Sequence, residues 1–245
     1  MENIAENLRQ VRQNIAESAI KAGRSPDDVK LIAVTKTVSI ERIEAAIHAG
    51  VTAIGENRVQ EFLPKYEALA EKYPHVEWHF IGHLQRNKVK FIIDKVDMIH
   101  SVHSVALAEE INKYSKKQNC NTNVLLEMSL VHEANKVGFS MDGIVTNVKN
   151  IFLLSNVRFK GFMCVPPFVR DAELQRKNFE KLRDLRLDIM NGMSYHTSPQ
   201  TTDFAQYFSD KDDFELSMGM SGDYQIAVET GATMVRIGSD LFGRR

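Results

Sequence analysis

The chain reads as an α/β protein, a (β/α)8 TIM barrel with an extra N-terminal helix. From Lys30 onward, short apolar runs alternate with longer amphipathic segments, the pattern of successive strand–helix units around a parallel sheet. Eight such runs fit into 245 residues, the size at which a barrel of this kind closes. A doubly wound open sheet would use fewer strands or a longer chain. Residues 1–245 are therefore expected to form one domain.

Residues 1–23 are the leading helix. Ile4, Leu8, Val11, Ile15 and Ile20 recur at mostly helical spacing, Gly23 supplies a C-cap, and Ser25-Pro26 opens the next segment. Strands are predicted, in order, at 30–35 (KLIAVT), 52–55 (TAIG), 76–81 (VEWHFI), 97–100 (DMIH), 122–128 (TNVLLEM), 157–163 (VRFKGFM), 214–217 (FELS) and 233–237 (TMVRI). The stretches between them, 39–49, 57–72, 84–94, 104–118, 140–150, 171–190 and 221–230, carry helical spacing. Residues 191–213 break the rhythm. They are polar, turn-rich and too long for an ordinary helix-to-strand connection, so a mobile excursion is expected there, not a second domain.

With 43% hydrophobic and 26% charged residues, the chain can bury one large core, and disorder and collagen-like repeats are excluded. Lys plus Arg (31) and Asp plus Glu (32) nearly cancel, so the totals supply no basic footprint for nucleic acid and point to a small-molecule partner. The start of the chain is amphipathic and mixed in charge, and no stretch stays apolar for the roughly 20 residues that span a bilayer. No membrane partner and a cytoplasmic location are expected. Cys120 and Cys164 are the only cysteines, too few and too far apart for a disulfide framework or a CxxC metal site.

In such a barrel the chemistry sits at the C-terminal ends of the strands, and phosphate is commonly held by the loops after strands 7 and 8. That rule selects Lys36, Glu56-Asn57-Arg58, Gly82-His83-Leu84-Gln85, Pro166-Pro167, Met218-Gly219-Met220-Ser221-Gly222 and Gly238-Ser239. The strand 7 loop has two glycines and a helix starting near Ser221, so free backbone N–H groups and the positive end of a helix dipole would meet an anion. Gly238-Ser239 adds a close backbone approach and a hydroxyl. The plain alternative is a glycine turn with Ser221 as a helix cap. Two consecutive loops at the usual phosphate positions favour function.

Period-2 alternation puts Ile32, Val34 and Lys36 on one strand face. If that face is interior, the ammonium is desolvated and becomes a candidate for a Schiff base with a carbonyl; otherwise Lys36 is a snorkelling strand-end lysine. Barrel closure makes strands 1 and 8 neighbours, so Lys36 would lie beside Arg236, Gly238 and Ser239. Arg236 shares parity with Met234 and Gly238, and inside it needs an acceptor: a phosphate oxygen, a heterocyclic nitrogen, or a carboxylate such as Glu215. Asn57 is a neutral donor and acceptor, whereas Glu56 and Arg58 fit an exposed first helical turn. The pairs His79/His83 and His100/His103 lack a third metal ligand at sensible spacing and read as structural or surface histidines. The polar segment 131–138 is either a flap over the mouth or a solvated connection. Nucleotide-binding and serine-hydrolase motifs are absent.

Ala33-Val34-Thr35-Lys36, Ile54-Gly55-Glu56-Asn57-Arg58, the run 79–88 from His79 to Lys88, Gly161-Phe162-Met163 followed by Pro166-Pro167, the run 215–221 from Glu215 to Ser221, and Val235-Arg236-Ile237-Gly238-Ser239 occur in that order. In these six motifs, across nearly its whole length, the chain resembles the pyridoxal phosphate homeostasis protein family. The resemblance implies a single-domain barrel like the barrel half of alanine racemase, with pyridoxal 5′-phosphate on Lys36 as a Schiff base. It implies phosphate contacts from Ser221, Gly238 and Ser239 with the loop around Met218 and Gly219, and Arg236 facing the ring nitrogen or the phosphate. Asn57 joins this set. Ser239 stands where threonine is usual and keeps the hydroxyl.

The implied function is homeostasis and delivery of the cofactor, with pyridoxal phosphate-dependent apoenzymes as recipients and no dedicated turnover. A self-contained barrel with no need of a partner is expected to be a monomer. The alternative is a pyridoxal phosphate-dependent racemase or decarboxylase with Tyr195, Tyr207 or Tyr224 as acid/base. A Schiff-base aldolase acting on a sugar phosphate would keep Lys36 and the phosphate loops and need no cofactor.

Overall fold

The computed structural model describes residues 3–130, 137–167, 169, 171–190 and 214–243. Eight parallel strands close a barrel in chain order: β1 (Lys30–Val34), β2 (Ala53–Glu56), β3 (Glu77–Phe80), β4 (Met98–Val102), β5 (Thr122–Met128), β6 (Val157–Cys164), β7 (Glu215–Met220) and β8 (Met234–Ile237). Each lies on a predicted run. Among the described residues the outer layer contains α1 (Ile4–Lys21), α2 (Ile40–His48), α3 (Val59–Leu69), α4 (Val105–Lys117), α5 (Ile144–Phe152), α6 (Ala172–Met190), α7 (Tyr224–Glu229) and the short α8 (Ser239–Phe242).

The leading helix forms as its spacing predicts. Ile4, Leu8, Val11 and Ile15 are buried, and Gly23, at φ +69°, donates to the Ile20 carbonyl while Arg24 N–H reaches back to Ala19, a left-handed C-terminal closure. Ile20 departs from the expected stripe and is 66% exposed. The segment predicted as a helix at 84–94 is instead a 3-10 turn, Arg86–Phe91. Val89 and Ile92, three apart, share one face in that tighter winding and are both fully buried. The helix predicted from 221 begins only at Tyr224, because Met220 N–H donates to Asp223 Oδ1 (2.7 Å) and ties 220–223 into a turn. The excursion expected at 191–213 lies outside the described residues.

Strand β7 runs three residues past its predicted end, to Met220, and its pairing with β8 shifts between Ser217 and Met220. This is a bulge, with Gly219 at φ +92°. A Cβ on Gly219 would stand 2.6 Å from that of Ala227, so only glycine lets α7 pack there.

Inside the barrel, Ile32, Ala53, Met98, Leu125, Met163 and Met234 form an apolar cluster separate from the sheet–helix core. Ile32 and Met234 on the interior fix the parity of β1 and β8, and Ile32 pairs with Arg236. Arg236 therefore points inward.

Candidate functional site

A cavity of about 690 Å³ opens at the C-terminal end of the barrel, lined by Lys36, Asn57, Met220, Ser221, Gly222, Arg236, Gly238 and Ser239 together with Val34, Ile81, Val165 and Gly243. Strands β1, β2, β7 and β8 thus bring five polar side chains, Lys36, Asn57, Ser221, Arg236 and Ser239, to one place.

Lys36 sits two residues beyond β1 in a turn closed by Val38 N–H donating to the Thr35 carbonyl (2.9 Å). It is exposed, so the desolvated interior lysine that strand parity allowed is not what forms; the chain leaves the wall before Lys36. Both its neighbours are clamped. Thr35 Oγ1 donates to Glu56 Oε1 (2.6 Å), and Lys65 Nζ donates to Glu56 Oε1 (2.6 Å) and to the Thr35 carbonyl (2.7 Å). Thr37 has φ +59°, uncommon for a β-branched residue, and its N–H donates to Glu61 Oε2 (2.6 Å). Glu56, expected on an exposed helical turn, is fully buried against Thr35 and Lys65. The i,i+4 spacing of Glu61 and Lys65 was visible in the sequence; their reach across to β1 was not.

Asn57 follows β2. Its Oδ1 is buried without a hydrogen-bond partner among the described residues. A Cβ on Gly82 would lie 2.2 Å from the Asn57 carbonyl oxygen, so the β3 loop presses against Asn57 through a glycine.

The loops after β7 and β8 meet at Ser221, whose Oγ accepts from the backbone N–H of Gly238 (3.3 Å) and of Asp240 (3.4 Å). Asp223 secures the first loop. Its Oδ2 accepts from Gln175 (2.8 Å), and burial pushes its carboxyl upward, opposed by its bonds and by the Arg236 charge. Met218 and Gly219, expected at the phosphate, belong to the bulged strand; Met218 is fully buried, and Met220, Ser221 and Gly222 line the cavity in their stead.

Arg236 is buried and donates to the Ser217 carbonyl (2.8 Å), Ser217 Oγ (2.6 Å) and the Cys164 carbonyl (2.9 Å). The guanidinium keeps further N–H groups for a ligand. Desolvation lowers its pKa, partly offset by Cys164, Asp223 and Glu127. Glu215, weighed as its partner, instead accepts from Thr233 Oγ1. The adjacent Cys164 thiol is pushed up to about 12 by burial, which leaves it an inert packing group.

Tyr224, considered as an acid/base, is buried with its hydroxyl accepting from Asn14 of α1 (2.8 Å), and it does not line the cavity. Tyr195, Tyr207 and residues 131–136 lie outside the described residues. The histidines pair across strands and not along the sequence: His79 with His100 inside the barrel, and His83 stacked on His103 with ring centroids 4.5 Å apart. Among the described residues no helix is long and apolar enough to cross a membrane.

Residues 2–245 match the family model described as alanine racemase, N-terminal domain. The chain is 40% identical over 243 residues, 99% of each chain, to the pyridoxal phosphate homeostasis protein of Aquifex aeolicus. Among solved structures it is similar to an unknown protein from Bifidobacterium adolescentis, with TM-score 0.86, 34% identity and coverage of 98% of this chain and 94% of that one. It is also similar to PipY of Synechococcus elongatus with PLP bound, with TM-score 0.77, 30% identity and coverage of 98% and 100%. With barrel, cavity and relatives in agreement over the full length, the chain belongs to the pyridoxal phosphate homeostasis protein family, within the family of alanine racemase N-terminal domains.

Proposed function

We propose that the protein binds pyridoxal 5′-phosphate at the mouth of its barrel, anchored as a Schiff base on the Lys36 amine. In this reading it acts as a monomer in intracellular pyridoxal phosphate (vitamin B6) homeostasis, delivering the cofactor to dependent apoenzymes without dedicated turnover. The observation that carries the proposal is the convergence of an amine, two hydroxyl-bearing loops and a guanidinium on one cavity. The names of the relatives and the PLP-bound PipY structure support it.

The donor set fits the group. Ser221 and Ser239, with the backbone around Gly222 and Gly238, would take the phosphate. Asn57 Oδ1, a buried acceptor without a partner among the described residues, would take a hydroxyl or protonated group of the ring. When bound, pyridoxal phosphate supplies an electron sink that is strongest when its ring nitrogen is protonated and paired with a carboxylate. Arg236 would present a charged N–H there, and a guanidinium disfavours that proton. Together with the retreat of Tyr224 from the cavity, this favours holding and release over racemisation.

The test is an absorbance spectrum of the purified protein, then borohydride reduction and peptide mass mapping. A visible band whose reduced adduct maps to Lys36, and which Lys36→Ala abolishes, is expected. A colourless protein that takes up no added pyridoxal phosphate would overturn the binding proposal and bring the aldolase forward. Amino-acid turnover well above the free-cofactor rate, lost in Lys36→Ala, would overturn the carrier role.

A further inference from the structure

A line of polar side chains crosses the barrel from its N-terminal to its C-terminal end. At the N-terminal end, Glu77 Oε2, at the start of β3, accepts from Lys30 Nζ (2.5 Å) and lies 3.0 Å from His79 Nε2. His79 Nδ1 stands 2.8 Å from His100 Nε2, and His100 Nδ1 stands 2.9 Å from Ser217 Oγ. Ser217 Oγ accepts from Arg236, which lines the cavity at the other end. His79, His100 and Ser217 are buried, at 1%, 0% and 0% exposure.

The direction of every link follows from the two ends. Glu77 is a carboxylate, kept so by His79 and Lys30, and can only accept; His79 donates to it from Nε2, and with one proton on its ring its Nδ1 is bare. That lone pair is satisfied only if His100 donates from Nε2. His100, whose pKa burial holds well below the ordinary histidine value, then turns a bare Nδ1 toward Ser217, and the serine proton fills it. The serine oxygen is left to face Arg236 with lone pairs, as a donor of fixed charge requires. With one proton on each imidazole, reversing one link would set buried donor against donor or acceptor against acceptor along the line.

We propose that Glu77, at the far end of the barrel, is a positioning residue for the ligand: through His79, His100 and Ser217 it makes Ser217 present an acceptor to Arg236 and so fixes the guanidinium at the cavity. The effect on a bound ring rests on the pyridoxal phosphate reading above; the orientation of Arg236 does not. If these residues merely filled the interior, breaking the line would cost stability and leave the tautomers' neighbours and the ligand spectrum as they were.

The experiment compares wild type, Glu77→Gln and Glu77→Leu, with His79→Leu replacing the last if it does not fold. In the ligand-free protein, 15N NMR should show His79 and His100 both carrying the proton on Nε2 in wild type and in Glu77→Gln, whose amide oxygen still accepts. Glu77→Leu should lose that pattern and shift the Arg236 guanidinium signals. Loaded with pyridoxal phosphate, Glu77→Leu should show a displaced absorbance band and an affinity weakened about tenfold, the scale of one charge-assisted hydrogen bond, while Glu77→Gln matches wild type. An Nδ1-protonated histidine in wild type, or unchanged Arg236 signals and ligand spectrum in Glu77→Leu, would overturn the proposal. If wild type takes up no pyridoxal phosphate, the functional reading falls, and the NMR comparison still decides whether Glu77 governs Arg236.

Discussion

At the scale of the residue, Lys36 owes its place to groups that do not line the cavity. Lys65 is 7% exposed and is the cation on Glu56, which is fully buried. Lys65→Met would strand that carboxylate and should cost about 3–5 kcal/mol, read by urea denaturation; a loss under 1 kcal/mol would show that Glu56 is satisfied in another way. Thr37 holds a left-handed conformation that disfavours side chains by roughly 1–2 kcal/mol, set against the extra unfolded-state freedom of glycine. Thr37→Gly keeps the N–H that Glu61 accepts and should stabilise the fold by a net of about 0.5–1 kcal/mol, read as a raised thermal midpoint. A lowered midpoint would mean that the turn relies on the threonine side chain.

At the scale of the element, the strands were legible and their crossings were not. Apolar runs betray a strand because a parallel barrel buries both faces, and all eight predicted runs hold one. Parity likewise allowed Arg236 to point inward, as it does. What failed depended on partners distant in sequence. The extension of β7 to Met220 needs the Gly219 bulge against Ala227, and the 3-10 turn at Arg86–Phe91 is set by which side chains the neighbouring elements can bury. The meeting of His79 with His100 requires that β3 and β4 be adjacent, which only the closed sheet supplies. That pair has a measurable consequence. Burial keeps His100 neutral to well below the ordinary histidine range, so as pH falls below about 6.5 the unfolded chain gains a proton that the native one refuses. Stability should decline with acid from there. Glu77, held down to about 2, contributes stability that is present above its unfolded value and is lost only as pH falls toward 2. His100→Asn should flatten the decline between pH 6.5 and 5 in denaturation series; an unchanged slope would assign it to other histidines.

At the scale of the whole molecule, the barrel divides its labour by depth. The N-terminal end holds ion pairs such as Lys30 with Glu77, the interior holds methionine, leucine and isoleucine packing, and the C-terminal end holds the cavity. In an enzyme of this fold, closing the mouth against water protects the chemistry. Here Lys36 stands in an exposed turn, and that exposure carries a kinetic consequence. On the proposed Lys36 anchoring, an imine that water and foreign amines can reach is exchangeable, so the bound pool should turn over in step with the free one. Loaded protein mixed with excess of a small primary amine should lose its colour at a rate that rises with amine concentration; a rate independent of amine would show that departure is gated by the protein. If Lys36 holds the cofactor as proposed, an open anchor of this kind would make occupancy a running measure of supply, filling when the aldehyde is plentiful and emptying toward whichever acceptor binds it more tightly.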